Sequence, residues 1–265
     1  GSLGKSAMIK VQVINKEGTI IAEAAGTREV NLPVSRTYEE GDRVVFLVDE
    51  TPAFYVFQAD DALGEALVYV TGEVSYEIPF GEKKVCYSPK IFSGESHLIT
   101  ARKAREWEYE SYRNLAVNVM DQHGDTNCYP HATANVETRG ESVFAARNAI
   151  DGVTSNHSHG YWPYGSWGIN RNPQATMRVD FGREVTTDRI EIYTRADFPH
   201  DAWWTKATVR FSDDTTMVCD LVKTDEGQEF TFPPKKVCWV QLEELIKADD
   251  PSPFPALSQL KVYGK

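Results

Sequence analysis

The sequence predicts an all-β protein of two domains with a short helical segment between them. Three observations carry this. Short runs rich in β-branched and aromatic residues recur with turn residues between them. Helical spacing is confined to one stretch, too little for the alternating βαβ units of a Rossmann or barrel enzyme. The 265 residues are 41% hydrophobic and 25% charged, a balance that excludes wholesale disorder, collagen-like repeats and coiled coil.

Residues 1–7, Gly1-Ser2-Leu3-Gly4-Lys5-Ser6-Ala7, are expected to be a cloning remnant ahead of Met8. Over 8–96 the strand candidates are Met8–Ile14, Thr19–Ala24, Arg43–Val48, Phe54–Gln58, Leu67–Val70 and Val74–Ile78, parted by turns such as Lys16-Glu17-Gly18 and Glu40-Gly41-Asp42. This reads as a β-sandwich with no catalytic constellation, suited to scaffolding or to contact with another protein. Its Asp60-Asp61 pair is expected in a solvated turn rather than as an acid/base dyad. Over 97–120 the period changes: Leu98, Ala101, Ala104, Tyr112, Leu115 and Val119 are spaced for a helical connector. The loop Asp121–Asn127 then opens a second β domain, 121–265. Its strand candidates are Thr176–Phe181, Arg189–Thr194, Ala207–Phe211, Thr216–Leu221, Glu229–Phe232, Val237–Leu242 and Leu257–Tyr263.

Net charge is −11 and the excess is even, −5 over residues 1–120 and −6 over the rest. Nucleic-acid binding needs a cationic footprint to displace counterions from phosphates, and neither half has one. No run approaches the ~18 apolar residues that span a bilayer. Cys86, Cys128, Cys219 and Cys238 stand far apart and form no C-x-x-C. Buried free thiols are therefore expected rather than a zinc site or disulfide framework, with Cys219 and Cys238 in strands that can be neighbours.

The chemistry lies in two long polar loops. Five of six tryptophans follow residue 160, and Trp162 and Trp167 sit in a His-, Gly- and Tyr-rich stretch, 157–168, that cannot hold strand alternation. Loop aromatics on a β scaffold suit a binding surface; one or more of them plugging an end of the sandwich is the alternative. The second loop, Arg195 to Trp204, gathers Arg195, Asp197, His200, Asp201, Trp203 and Trp204. A sugar presents hydroxyls that donate and accept, and a weakly apolar face of C–H bonds. A guanidinium donates to it, carboxylates accept, imidazole does either and an indole face packs on the ring. An Arg195–Asp197 or Arg195–Asp201 ion pair stiffening the loop fits the same residues. His157 and His159 can also be read as zinc ligands, with His123 or His131 as a third, and Asp197 and Asp201 as glycoside-cleaving acids. No G-x-S-x-G, H-E-x-x-H, P-loop or dinucleotide fingerprint appears.

Four ordered pieces of the C-terminal half carry a resemblance. They are Phe144–Gly152, ending in Asp151-Gly152, with Trp167 after it; Val179–Gly182 with Val185 and Asp188–Tyr193; Val209–Asp214; and Leu257–Gly264. Together, over roughly Cys128–Gly264, they resemble the discoidin, or factor V/VIII type C, galactose-binding-like superfamily, and within it family 32 carbohydrate-binding modules. The resemblance implies an eight-stranded β jelly roll, lectin-like, whose end loops bind a sugar without catalysis. It maps the family's ligand arginine onto Arg195 and its aromatic and histidine partners onto His157 or His159, Trp162 and His200. It also implies a structural calcium near the Asp-Gly loop, held by Asp151 with Asn148, Val153 and Asn156. The family closes that site with a glutamate, and Gln259 stands there, removing a formal charge on which calcium affinity depends. The loop Arg195–Trp204 and the run Trp167–Arg171, with Asn170 and Arg171, depart from the family pattern and point to a distinct ligand.

The leading reading is a non-catalytic carbohydrate-binding protein. Arg195 donates to hydroxyls or to a uronic carboxylate, Asp201 accepts, His157, His159 and His200 orient the ring, and Trp162 or Trp203 stacks on it; Asp197, Asn170 and Arg171 adjoin. No organic cofactor, nucleic-acid partner or membrane span is expected. The alternatives are a metal-dependent or acid/base carbohydrate-active enzyme and a protein-interaction module. An extracellular place follows if the chain is like most sugar-binding modules, a cytoplasmic one if Met8 is the native start.

Overall fold

The structure, a computed structural model, describes residues 7–157, 161–196 and 202–265. Its strands, in chain order, are β1 (Ile9–Ile14), β2 (Ile20–Gly26), β3 (Glu29–Ser35), β4 (Arg43–Val48), β5 (Ala53–Gln58), β6 (Ala66–Val70), β7 (Val74–Glu77), β8 (Ser96–Lys103), β9 (Arg113–Asn114), β10 (Cys128–Tyr129), β11 (His131–Ala134), β12 (Trp167–Gly168), β13 (Met177–Thr194), β14 (Trp204–Phe211), β15 (Thr216–Asp220), β16 (Gln228–Lys247) and β17 (Ala256–Gly264). The protein is all-β; among the described residues the one α-helix is the single turn Glu106–Tyr109, and no helix is long and apolar enough to cross a membrane. Two compact units form. The first takes the chain to Phe80, Ser88–Tyr109 and Gly124–Tyr129; the second takes Gly81–Tyr87, Glu110–His123 and Pro130–Lys265.

In the first unit a four-stranded sheet, β2-β1-β4-β7, and a five-stranded sheet, β10-β6-β5-β8-β3, make a sandwich. Alternation decides the inner faces. Strand β1 buries Ile9, Val11 and Val13, and β3 buries Val30, Leu32 and Val34. Phe46 of β4 stacks on Phe57 of β5 at 4.2 Å, ring to ring, which is one contact between the sheets. The helical connector is corrected here. Leu98, Ala101 and Ala104 are spaced by three, but His97, Ile99 and Ala101, spaced by two, are the buried set, so the start of the stretch is strand β8, pairing with β3 and β5, and the helix within 97–120 is the single turn Glu106–Tyr109. Strand β3 escapes a sequence reading because Pro33 interrupts it. It is tolerated at the sheet edge, where its missing N–H breaks no inner ladder. Asp60 is also not solvated. It is 2% exposed and accepts from the Ala62 and Phe92 N–H groups at 3.0 and 3.2 Å, and that burial raises its pKa.

The second unit is built on one eight-stranded antiparallel sheet ordered β12-β17-β13-β16-β14-β15, with β11 on β13 and β9 on β17. Strands β13 and β16 each fuse two of the expected short strands. Their pairing slips between Asp180 and Val185 and again between Thr187 and Arg189, and such bulges bend a strand and add twist. The sheet thereby folds over itself as a jelly roll around Trp167, Val179, Ile190, Ile192, Trp204, Phe211, Val240, Leu242 and Leu260, all 1% exposed or less. Full burial of side chains of this size contributes roughly 1.5–3 kcal/mol each. All four cysteines are free thiols. Cys86, Cys128 and Cys219 are buried, whereas Cys238, expected inside, is exposed.

Candidate functional site

One corner of the jelly roll is organised by Trp167. Its indole is fully buried, and its Nε1–H donates to the Val136 carbonyl at 2.9 Å, drawing the turn at 137–140 against β12. The next residue must be small. A Cβ on Gly168 would meet Thr138 Oγ1 at 2.6 Å and Phe144 at 3.0 Å. That Thr138 oxygen accepts from the Asn170 N–H at 2.9 Å, tying the turn to the loop after β12. On the other side the Phe254 carbonyl accepts from the Ala202 N–H and the Ala256 carbonyl from the Arg195 N–H, both at 3.3 Å. The described ends of the Arg195–Trp204 loop are therefore both fastened to the segment 254–256.

These elements enclose a hollow of about 230 Å³, whose lining includes Thr138, Arg139, Phe144, Tyr164, Asn170, Arg171 and Phe254. It is smaller than the ~300–1,000 Å³ that buries a drug-sized ligand, so it suits one ring rather than a chain of them. Its walls are aromatic: Phe144 meets Tyr164 edge-on at 6.4 Å, and Phe254 is 47% exposed. Its rim is cationic. The Arg171 guanidinium lies 4.7 Å over the Phe254 ring, and that of Arg139 5.6 Å over Phe144. Arg139 is engaged by Glu141 through two hydrogen bonds of 2.6 and 3.2 Å, which hold the Glu141 carboxyl below its ordinary pKa. Three of these lining residues have left-handed backbone: Arg139 at φ 53°, Asn170 at 51° and Arg171 at 58°.

The expected ligand residues fall into four groups. Asn170 and Arg171 line the hollow. Arg195 does not reach its surface. It is 1% exposed, with its guanidinium 4.3 Å over the Tyr164 ring and Nη1 donating to Ser166 Oγ at 3.2 Å, so it backs a wall. His157 and Trp162 are each exposed, and the His157 N–H donates to the Pro163 carbonyl at 2.9 Å; Trp203 is half-buried just before β14. His159, Asp197, His200 and Asp201 lie outside the described residues. Thr138, Arg139, Phe144, Tyr164 and Phe254 were not anticipated as site residues. The hint in the sequence was Phe254, held between Pro253 and Pro255, whose missing N–H groups keep the segment out of a central strand and leave it as loop.

The other histidines have partners. His131 pairs with buried Asp121 at 2.6 Å and His123 with Glu137 at 2.6 Å, which raises the His123 pKa. Among the described residues no three metal-ligating side chains converge. Of the expected calcium ligands, Asn148 and Asp151 are joined through the amide of a third, Gln259. Gln259, fully buried, donates from Nε2 to the Asn148 carbonyl and to Asp151 Oδ1, each at 2.6 Å, and accepts from the Gly152 N–H at 3.0 Å. Asp151 Oδ1 also accepts from the Val153 N–H at 2.9 Å, and Oδ2 faces Arg147 at 3.5 Å. Burial pushes the Asp151 carboxyl up to about 6. Asn156 donates to Ser258 Oγ at 2.9 Å.

Comparison with known proteins bears on the second unit. Residues 131–247 match the F5/8 type C domain. The match falls inside the stretch that the four sequence pieces mark out. Among solved structures, the chain is similar to chitosan-binding module 1 of a chitosanase/glucanase from Paenibacillus sp. IK-5, at 20% identity over 57% of this chain and 99% of that one, TM-score 0.41. It is also similar to a family 32 carbohydrate-binding module of Clostridium perfringens NanJ in complex with galactose, at 18% identity over 50% and 91%, TM-score 0.38. A fucose-binding module of Streptococcus pneumoniae is a third, at 15% identity over 58% and 98%, TM-score 0.41. No curated protein matches in sequence.

Proposed function

We propose that the F5/8 type C-like unit is a non-catalytic carbohydrate-binding module that takes one sugar ring into this hollow. The observation that carries the reading is the pairing of aromatic walls with hydrogen-bonding groups on the rim: Phe144, Tyr164 and Phe254 line the hollow with ring surface, while Arg171 and the Asn170 side chain offer donors and an acceptor. The described lining holds no carboxylate, thiol or imidazole to exchange protons with a substrate, which favours binding over turnover. Among the described residues Arg171 meets no carboxylate, so an acidic sugar such as a uronic acid is favoured over a neutral one. The solved structures named above, two of them described as binding chitosan or fucose and one as a complex with galactose, agree with the class of ligand but not with one sugar.

A few hydrogen bonds and a stacked ring leave only ~4–6 kcal/mol, a Kd of millimolar to tens of micromolar. The test is a glycan array with the full chain, followed by calorimetric titration of the best ligand. Arg171→Ala removes a charge-assisted bond of about 1.5–3 kcal/mol and weakens binding roughly 10- to 100-fold. Phe254→Ala weakens it as well, and because both side chains are exposed the melting temperature stays put. Titrations unchanged in both variants would take the ligand out of this hollow. A blank array with a protein partner captured through Trp162 would move the function to protein interaction.

A further inference from the structure

We propose that the carboxamide of Gln259 stands where the resemblance places a calcium ion, so that the Asp151-Gly152 loop is closed by N–H donors and the fold does not depend on calcium. A bound cation joins oxygens by drawing several of them to one centre, six to eight for calcium. Here the Asn148 carbonyl and Asp151 Oδ1 are drawn instead to the two hydrogens of Gln259 Nε2, at 2.6 Å each. The orientation of the amide is fixed by its third partner. Oε1 accepts from the Gly152 N–H at 3.0 Å, and turning the group over would set oxygen against two oxygens and N–H against N–H.

Charge argues the same way. A divalent ion needs anionic ligands around it, yet the second Asp151 oxygen faces the Arg147 guanidinium at 3.5 Å, and Arg147 also donates to Asn148 Oδ1 at 3.1 Å. Carboxylate and guanidinium neutralise each other, and an ion placed beside Asp151 would meet a fixed positive charge. Of the five expected ligands, Asp151 and the Asn148 carbonyl and side chain already accept N–H bonds, and Gln259 turns its donor end to them. Val153 is tied to the loop by its own N–H, which donates to Asp151, and Asn156 Oδ1 is buried with no hydrogen-bond donor; one amide oxygen is far from the set that calcium requires.

The experiment compares thermal melting of the full chain, followed by tryptophan fluorescence, in EDTA and in millimolar calcium chloride. The expected result is one melting temperature in both. Gln259→Met keeps the length of the side chain and loses its donors, and it is expected to melt lower by the same amount in both solutions. A wild-type transition that calcium raises, with the rise lost in Asp151→Asn, would overturn the proposal, because the ion would then sit at this loop. A Gln259→Met chain that melts with the wild type would overturn it from the other side, by showing that the amide closes nothing.

Discussion

Gly168→Ala tests the packing that shapes the hollow. The added Cβ would come within 2.6 Å of Thr138 Oγ1 and 3.0 and 3.1 Å of two Phe144 carbons, closer than carbon atoms sit without displacement. Thr138 cannot turn aside freely, because its Oγ1 holds the Asn170 N–H at 2.9 Å. Losing that bond costs about 1 kcal/mol, and forcing a methyl group into a filled space costs ~1–3 kcal/mol. A total near ~3 kcal/mol lowers the melting temperature of a unit this size by roughly 6–12 °C. Tryptophan fluorescence is the assay, since five of the six indoles follow residue 160 and report on the second unit. The decisive comparison is with Thr138→Ala, which removes the clashing oxygen. The double variant should lose less than the sum of the single losses, by about 1 kcal/mol. Full additivity, or a Gly168→Ala chain that melts like the wild type, would refute the steric argument.

Other expectations follow from the same geometry. An exposed ligand arginine would leave folding unchanged when replaced by alanine; the 1% exposure of Arg195 and its place on Tyr164 predict instead that Arg195→Ala loses about 2–4 kcal/mol of stability together with weaker sugar binding. In the first unit, Arg102 holds Glu108 in a double hydrogen bond of 2.7 and 2.9 Å and lowers its pKa from 4.5 to about 2. A depressed carboxyl stabilises above its unfolded value, so acid melts should show stability lost as pH falls from about 4.5 toward 2, and Glu108→Gln should flatten that slope. His123 has the opposite sign. Its pKa is raised above 6.5 by the Glu137 hydrogen bond, so its contribution is complete below that value and is lost as pH rises through the raised one. His123→Gln should remove that dependence from melts taken across neutral pH. The effect is small, because the imidazole is 65% exposed and solvent screens the pair.

Much of the fold was legible because burial here follows a period of two. Ile9, Val11 and Val13 alternate so strictly that β1 reads directly from the sequence, and the expected Arg43–Val48 strand coincides with β4. Failures came where a second signal competed. Pro33 masked an edge strand, and Leu98, Ala101 and Ala104 imitated a helix along β8. The long strands β13 and β16 were read as pairs of short ones because their bulges carry Gly182-Arg183-Glu184 and Pro233-Pro234, which look like turns. The hollow was largely illegible for a different reason. Its residues come from Thr138 to Ala256, and only the pairing of β12 with β17 brings Trp167-Gly168 beside Leu257 and Ala256. A departure from the family pattern marked Asn170 and Arg171, but burial reassigned Arg195, and no local pattern distinguishes a guanidinium that faces solvent from one packed against a tyrosine.

Three residues at the mouth of the hollow, Arg139, Asn170 and Arg171, hold a backbone conformation that side chains resist, at a cost on the order of 1–3 kcal/mol for each of the arginines and less for asparagine. Glycine at any of them would relax the turn and firm up the native state. At Asn170 and Arg171 it would also delete the group that the proposed function sets against the ligand. Selection for heat resistance and selection for grip therefore pull in opposite directions at the same positions, and a hardier version of this unit obtained by glycine substitution there should be recognised by its poorer hold on sugar.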